Sequence, residues 1–194
     1  MAEQRINVAL LRRVMDVIET EALAEAAKRP AGASPPDWSI KCHGGRWDQR
    51  YWRYVSAAGC GTVMCFAGWS VALDIADHDG AGDWYYFDDP WCAWHGCWLN
   101  ARDDDPEYDV STGAGGRRFL KITSRAQRIL GLTVDQAEDL FLDDISLNTL
   151  RAKVSYLCQL QADRDRAQDA LDDFQTQSEA LTSVTHVSVV YDHA

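Results

Sequence analysis

The stretch "GCGTVMCFAGW", residues 59–69, decides the predicted fold of this chain. A nearly unbroken apolar run covers residues 63–73, and Thr62 directly before it is a residue type that caps helix N-termini. The pattern therefore predicts a helix over residues 63–73 that is buried on all sides. One face of this helix carries its three largest side chains: Phe66, Trp69 and Leu73. We expect it to be the central helix of the core.

The composition indicates one ordinary globular domain. The chain has 194 residues, of which 46% are hydrophobic and 25% are charged, so it can bury a core without disulfide bonds. Nineteen basic and thirty acidic side chains give a net charge of −11, which disfavours binding to nucleic-acid backbones and anionic membranes. Arginines interrupt the apolar residues of the first twenty positions, so we expect no signal peptide there. The longest apolar run, residues 63–73, is about half the length of a membrane-spanning helix. We expect a cytoplasmic protein with reduced cysteines.

Helical signals flank the central segment on both sides. Apolar residues recur at helical spacing over residues 5–28, until the Pro- and Gly-rich segment 30–36 ends the pattern. In residues 122–141, "ITSRAQRILGLTVDQAEDLF", Thr123 is predicted to cap a helix that Gly131 ends. Thr133 and Gln136 then form a capping box for a second helix. A further helix starts near Leu147 and extends to about residue 177, and its apolar stripe thins beyond Leu160.

The region between the helices, residues 77–116, is rich in Gly, Asp and aromatic residues and has no helical spacing. Its aromatic residues favour short strands at 84–87 and 94–99, and the alternation near residues 187–191 favours another short strand. The expected fold is thus a mainly α single domain of four or five helices around one short buried helix. Residues 1–160 form the helical domain, with the insert at 77–116. Residues 161–194 form a charged extension of the last helix and a tail.

The order of these motifs resembles a known family. The chain has CGT at residues 60–62, Cys65, AGW at residues 67–69, LGLT at residues 130–133, and then Leu140 and Phe141. This pattern is similar to that of a family of small, largely uncharacterised proteins of actinobacteria and their phages. The resemblance implies a phage or actinobacterial setting and little chemistry. The insert and the long charged helix are additions relative to that pattern.

Two Cys-x4-Cys pairs raise the question of a metal site. Cys60 and Cys65 form the first pair, Cys92 and Cys97 the second, and His95 lies inside the second pair as an alternate ligand. Four such ligands would suit one structural zinc ion. Against this, Cys65 is expected inside the apolar helix as a core residue, with Cys60 in a tight turn. We expect no cofactor, with one structural zinc as the alternative and a reactive Cys60 thiol as a third interpretation.

A basic cluster lies on and before the first of the two short helices. It consists of Arg117, Arg118, Lys121, Arg125 and Arg128. The second short helix is acidic, which argues against a helix-turn-helix that enters DNA. We expect the basic residues to be solvated or to pair with acidic residues of the same chain, rather than to bind nucleic acid.

The chain has eight tryptophans, and four of them crowd into the insert: Trp84, Trp91, Trp94 and Trp98. Tryptophan is a favoured anchor in protein interfaces, so we expect these four to bind a partner. Together with the resemblance, this favours a non-enzymatic, phage-type accessory protein that binds and modulates a host protein. Two alternatives are a zinc-stabilised or thiol-dependent small enzyme and an acidic decoy that mimics DNA.

Overall fold

The computed structural model of the chain describes residues 5–27, 54–55, 62–78, 84, 98–141 and 145–185. Most of these residues lie in helices, which confirms the predicted mainly α fold. The described helices are α1 (Val8–Ala27), α2 (Phe66–Asp77), α3 (Ile122–Leu130), α4 (Val134–Phe141) and α5 (Leu147–Thr185). The described strands are β1 (Tyr54–Val55), β2 (Thr62–Val63), β3 (Trp98–Asn100), β4 (Ser111–Thr112) and β5 (Arg118–Lys121).

The central helix α2 begins later than its sequence predicts. Thr62 was expected to cap it, but Thr62 and Val63 form β2, which pairs antiparallel with β1. Both residues are β-branched and suit a strand better than a helix start. Cys65 is the N-cap instead, and its Sγ accepts a hydrogen bond from the backbone N–H of Gly68 at 3.4 Å. The predicted helical position of Cys65 was therefore wrong.

Helix α2 lies at the centre of the fold, as predicted, and packs against α1, α3 and α4. Phe66, Ala67 and Val71 have no solvent exposure. The expected burial on all sides was wrong, because Trp69 and Leu73 are half-buried. The helix also extends beyond its predicted end at Leu73, to the exposed Asp77. The exposed last turn forms an ion pair with α1, in which Arg13 Nη1 lies 2.5 Å from Asp77 Oδ2.

Helix α1 is held at its start by residues far along the chain. Asn7 caps the helix by accepting the Leu10 N–H at 3.0 Å, and its own N–H donates to the carbonyl of Leu130 at 2.8 Å. The N–H of Ile6 donates to Gln161 Oε1 of α5 at 2.8 Å. Near the other end of α1, Glu19 pairs with Arg151, so α1 and α5 run antiparallel. The apolar side of α1 is fully buried at Leu11, Val14 and Ile18.

The turn between α3 and α4 follows its sequence signals closely. Gly131 ends α3 in the left-handed conformation, with φ of 64°. The predicted capping box is confirmed: Thr133 N–H donates to Gln136 Oε1 at 2.9 Å, and Gln136 N–H donates to Thr133 Oγ1 at 3.3 Å. Helix α3 begins one residue before the expected cap Thr123, directly after strand β5.

The insert contributes a small antiparallel sheet in the order β3-β5-β4. Leu99 of β3 pairs with Leu120 of β5, and both side chains are completely buried. Trp84 makes an isolated bridge to Leu99. Strand β3 lies at the end of the predicted 94–99 strand, whereas β5 was not predicted. Residues 85–87 and 187–191, where other strands were predicted, lie outside the described residues.

Candidate functional site

The second half of α5 is the most exposed helical segment that the structure describes. In the first half, every third or fourth residue is buried against the other helices: Leu150, Val154, Leu157 and Gln161. From residue 166 to residue 180, every side chain is exposed. We call residues 166–185 of α5 the arm. At 1.5 Å per residue, it is about 30 Å long.

A group of polar contacts fixes the helix just before the arm. Arg5 Nη2 contacts both carboxylate oxygens of Asp165, at 3.2 and 3.1 Å. Gln161 donates to Asp165 at 2.8 Å and accepts the backbone N–H of Ile6. The hydrogen bond from Gln161, followed by the Arg5 guanidinium, lowers the pKa of the Asp165 carboxyl even though its partial desolvation opposes this. These contacts tie residues 161–165, which we call the root of the arm, to the start of α1. The arm therefore continues past the beginning of that helix.

A row of mostly apolar residues begins just before the arm and continues along one side of it. Leu160, Arg164, Ala167, Leu171 and Phe174 follow one another at alternating spacings of four and three residues. This spacing keeps them on one face of an α-helix, and we call these five residues the stripe. Leu171 is 62% exposed and Phe174 is 72% exposed. Such large apolar side chains on a projecting helix are typical of a surface that another protein covers.

Side-chain pairs on the arm stabilise its helix without a partner. Gln168 donates to Asp172 at 2.7 Å, Gln175 donates to Glu179 at 3.3 Å, and Arg166 pairs with Asp163. Pairs with spacing of three or four residues each stabilise a helix by about 0.2–0.5 kcal/mol. The arm therefore keeps its helical form while the stripe is exposed.

A hollow of about 700 Å³ lies at the corner where the arm leaves the rest of the protein. Two guanidinium groups, two carboxylates, two amides and two apolar side chains line it: Arg5, Arg164, Asp165, Asp169, Gln161, Gln168, Ala167 and Leu171.

A cluster of charged side chains centred on Asp105 is buried and stabilises the fold. The carboxylate of Asp105 contacts the guanidinium groups of Arg125 and Arg128 and accepts the backbone N–H of Arg102 at 2.6 Å. Arg102 also pairs with Asp74 of α2 at 3.0 Å. Burial alone would raise the pKa of Asp105, but these hydrogen bonds outweigh it and lower that pKa. Asp105 and Arg125 have no side-chain exposure, so the cluster holds the insert against α2 and α3.

Three of the basic residues before and in α3 form ion pairs with acidic residues of the insert. Arg125 and Arg128 bind Asp105, and Arg118 binds Glu107 at 2.5 Å. The expectation that basic residues pair with acidic residues of the same chain is confirmed for these three. Neither Asp105 nor Asp74 stood out in the sequence, since both lie among several other acidic residues.

Two of the four tryptophans predicted to bind a partner are described. Trp98 is half-buried and packs edge-on against Phe119, with ring centroids 5.0 Å apart. Trp84 is half-buried, packs against the core, and its carbonyl accepts from Asn100 Nδ2 at 3.4 Å. Trp91 and Trp94 lie outside the described residues, so the tryptophan interface stays a prediction.

Of the predicted zinc ligands, Cys65 alone lies within the described residues, and it is completely buried. Cys60, Cys92, Cys97 and the alternate ligand His95 lie outside them. Within the described ranges, three or more metal-binding side chains do not come together. The zinc site therefore stays a prediction, and the buried position of Cys65 at the N-terminus of α2 is the one part of it that has been located.

None of the helices in the described part of the chain is long and apolar enough to cross a membrane. In comparisons with known proteins, the chain matches no protein-family model, no curated protein and no solved structure. The similarity to the actinobacterial and phage family rests on the motifs at residues 60–69 and 130–141 and stays a hypothesis.

Proposed function

We propose that this chain is a non-enzymatic protein that binds another protein chain through the stripe of its arm. In the phage setting that the motif resemblance implies, the partner is a host protein whose activity the chain modulates. The observation that carries the proposal is the exposure of Leu171 and Phe174 on one face of a projecting helix.

The spacing of the apolar residues supports a helix-recognition mode. Ala167, Leu171 and Phe174 occupy positions i, i+4 and i+7, which is the pattern by which an amphipathic helix enters a groove of its partner. Burying an exposed Leu or Phe side chain contributes about 1.5–3 kcal/mol. Two such residues on a helix that is already formed can anchor an interface.

The fixed root of the arm supports the same proposal. Asp165 is held by Arg5 and Gln161, so the first turn of the arm has a defined direction relative to α1. A helix that is ordered before binding loses less conformational entropy when its partner binds. The arrangement favours a recognition element over a loose tail.

The proposal is tested by capture of proteins from an actinobacterial lysate on the immobilised chain. The test variant is Leu171→Ser/Phe174→Ser, and the matched control is Tyr108→Ser, because Tyr108 is an 87% exposed aromatic residue of the insert. We expect the test variant to lose a captured protein that the parent and the control retain, with all three melting at similar temperatures.

Capture that is equal for all three chains would contradict the proposal. The acidic decoy would be favoured instead by capture of a DNA-binding protein that is released when the salt concentration is raised. The Leu171→Ser/Phe174→Ser variant would then capture this protein as well as the parent does. Catalytic turnover that survives loss of the stripe would favour the enzyme alternative.

A further inference from the structure

We propose that the arm binds a second copy of this chain, and that the two arms pair side by side and antiparallel through their stripes. The inference rests on the proposed function in one respect, since it takes the stripe as a protein-binding surface. It goes further by naming the partner and the orientation. Because both would cover the stripe, a second copy and a host protein would compete for it.

The residues of the stripe fit one another across an antiparallel pair. In heptad terms, Leu160, Ala167 and Phe174 occupy d positions, and Arg164 and Leu171 occupy a positions. Antiparallel helices place an a residue of one chain beside a d residue of the other. A pairing centred near residue 169 puts Arg164 over the Phe174 ring of the second copy and Leu171 beside its Ala167. A guanidinium over an aromatic face is attractive, and large residues then face small ones.

The residues that flank the stripe keep charge repulsion low where the two arms would meet. A chain with a net charge of −11 repels its own copies. The flanking heptad positions, however, hold mostly uncharged residues: Gln161, Asp163, Gln168, Ala170, Gln175 and Gln177. The acidic residues Asp165, Asp169, Asp172 and Asp173 occupy b, c and f positions, which lie away from the pairing face. Like charges are therefore kept apart in the pair.

The distribution of charge along the helix selects the antiparallel orientation. Residues 163–166, where the arm begins, alternate Asp and Arg and carry no net charge, whereas Asp172, Asp173 and Glu179 lie toward the far end of the arm. A parallel pair would place Arg164 against Arg164 and the acidic ends together. An antiparallel pair places the neutral start of each arm, with its Arg164, beside the acidic end of the other arm, and it also opposes the two helix dipoles.

Within the described residues, the arm is open to a second copy. Its side chains are exposed over residues 166–180, and Ala167 and Leu171 line the hollow of about 700 Å³ where the arm begins. The far end of the second arm enters this hollow, and the two globular parts lie at opposite ends of the paired arms.

The first test is the mass of the full chain in solution, measured by light scattering from about 1 to about 200 μM, a range in which weak protein pairs form. We expect a concentration-dependent species of twice the 21.7 kDa chain mass. Leu171→Asp/Phe174→Asp should weaken the association at least about tenfold, with an unchanged melting temperature, because both residues are exposed. Tyr108→Asp is the control and should pair like the parent. A monomer at every concentration, or a dimer that both variants retain, would overturn the inference.

The second test is orientation. A photo-crosslinking aromatic amino acid replaces Phe174 in one isotopically labelled copy, which is mixed with an unlabelled chain. The antiparallel pair predicts a crosslink to the peptide around Arg164 of the other copy. A crosslink to the region around residue 174 would show a parallel pair and overturn the inferred orientation.

The two proposals fail separately. A chain that stays monomeric but captures a lysate protein through its stripe overturns the self-pairing and leaves the proposed function standing. A dimer that depends on the stripe, with lysate capture that does not, supports the self-pairing and overturns the stripe as the host-binding surface.

Discussion

The carboxylate of Asp105 and the guanidinium of Arg125 form an ion pair in which neither side chain is exposed to solvent. Asp105 belongs to the insert and Arg125 to α3, so the pair joins two parts of the fold that are separate in the sequence. The backbone N–H of Arg102 and the guanidinium of Arg128 add further donors to the same carboxylate. The carboxylate can be buried because these donors replace the water that it loses.

Replacing Asp105 should destabilise the protein strongly. Asp105→Asn leaves the buried Arg125 without a carboxylate, and breaking a buried pair in this way costs about 3–5 kcal/mol. Glu107→Gln is the matched control, because it breaks the exposed Arg118–Glu107 pair and should cost at most about 1 kcal/mol. The measurement is denaturant unfolding of both variants. Equal free energies of unfolding would show that the buried pair does not hold the insert.

The same carboxylate predicts how stability depends on pH. Burial works against ionisation of Asp105, but its hydrogen bonds prevail and its pKa in the folded protein lies below the unfolded value. The stabilisation is therefore fully present above the unfolded pKa of about 3.9, and it is lost as pH falls through the lower folded pKa. Urea unfolding of the parent at pH 6 and pH 3 should show this loss, and Asp105→Asn should show less of it. An identical pH dependence would contradict the assignment.

Gly131 should be irreplaceable at the end of α3. A Cβ atom there would lie 1.9 Å from the carbonyl oxygen of Arg5, in a residue whose φ is already +64°. Gly115 is a matched control, since its φ is +74° but nothing lies within 4 Å of its Cβ position. Gly115→Ala should cost roughly 1–2 kcal/mol from the backbone conformation alone. Gly131→Ala should cost more than about 4 kcal/mol, and thermal melting of both variants checks this. Similar melting temperatures would mean that Arg5 moves away at little cost.

Two aromatic residues of α2 should differ in their contribution to stability. Phe66 is completely buried, so Phe66→Ala should cost about 3–5 kcal/mol. Trp69 is half-buried, and Trp69→Ala should cost less despite the larger side chain. Denaturant unfolding of the two variants gives the comparison. The reverse order would indicate that Trp69 anchors contacts beyond those of the described residues.

Metal analysis distinguishes the two interpretations of the cysteines. A zinc ion held by Cys60, Cys65, Cys92 and Cys97 predicts about one equivalent in protein purified without chelators. Cys65→Ala should then lose both the metal and much of the stability. A structural Cys65 predicts less than about a tenth of an equivalent, with thiols that all react after unfolding.

Much of the fold follows from local sequence signals. The capping box at Thr133 and Gln136 and the left-handed Gly131 were predictable because each depends on residues within one turn. The exposed arm was predictable as well, since apolar residues become fewer in α5 after Leu160. These features need no information about distant parts of the chain.

Features that depend on distant contacts were not predictable in the same way. Capping preference favoured Thr62 as the start of α2, but Thr62 pairs with Val55 in a strand, and Cys65 takes the cap. Asp105 cannot be told from the exposed Asp103 and Asp104 by sequence, because its burial depends on Arg125, twenty residues away. The buried ion cluster is therefore visible only in three dimensions.

The contacts of α1 set the order in which the chain can complete its fold. Arg13 pairs with Asp77, while Asn7 and Ile6, just before α1, bond to Leu130 and Gln161. These described partners all come much later in the sequence. During synthesis, α1 can pack on α2 early, but its contacts with α5 cannot form until residue 161 has emerged. Contacts of such long separation slow folding and leave nascent chains open to aggregation. The docking of α1 on α5 is thus a late step of folding, and the side of α1 that α5 covers stays open to other chains until that step.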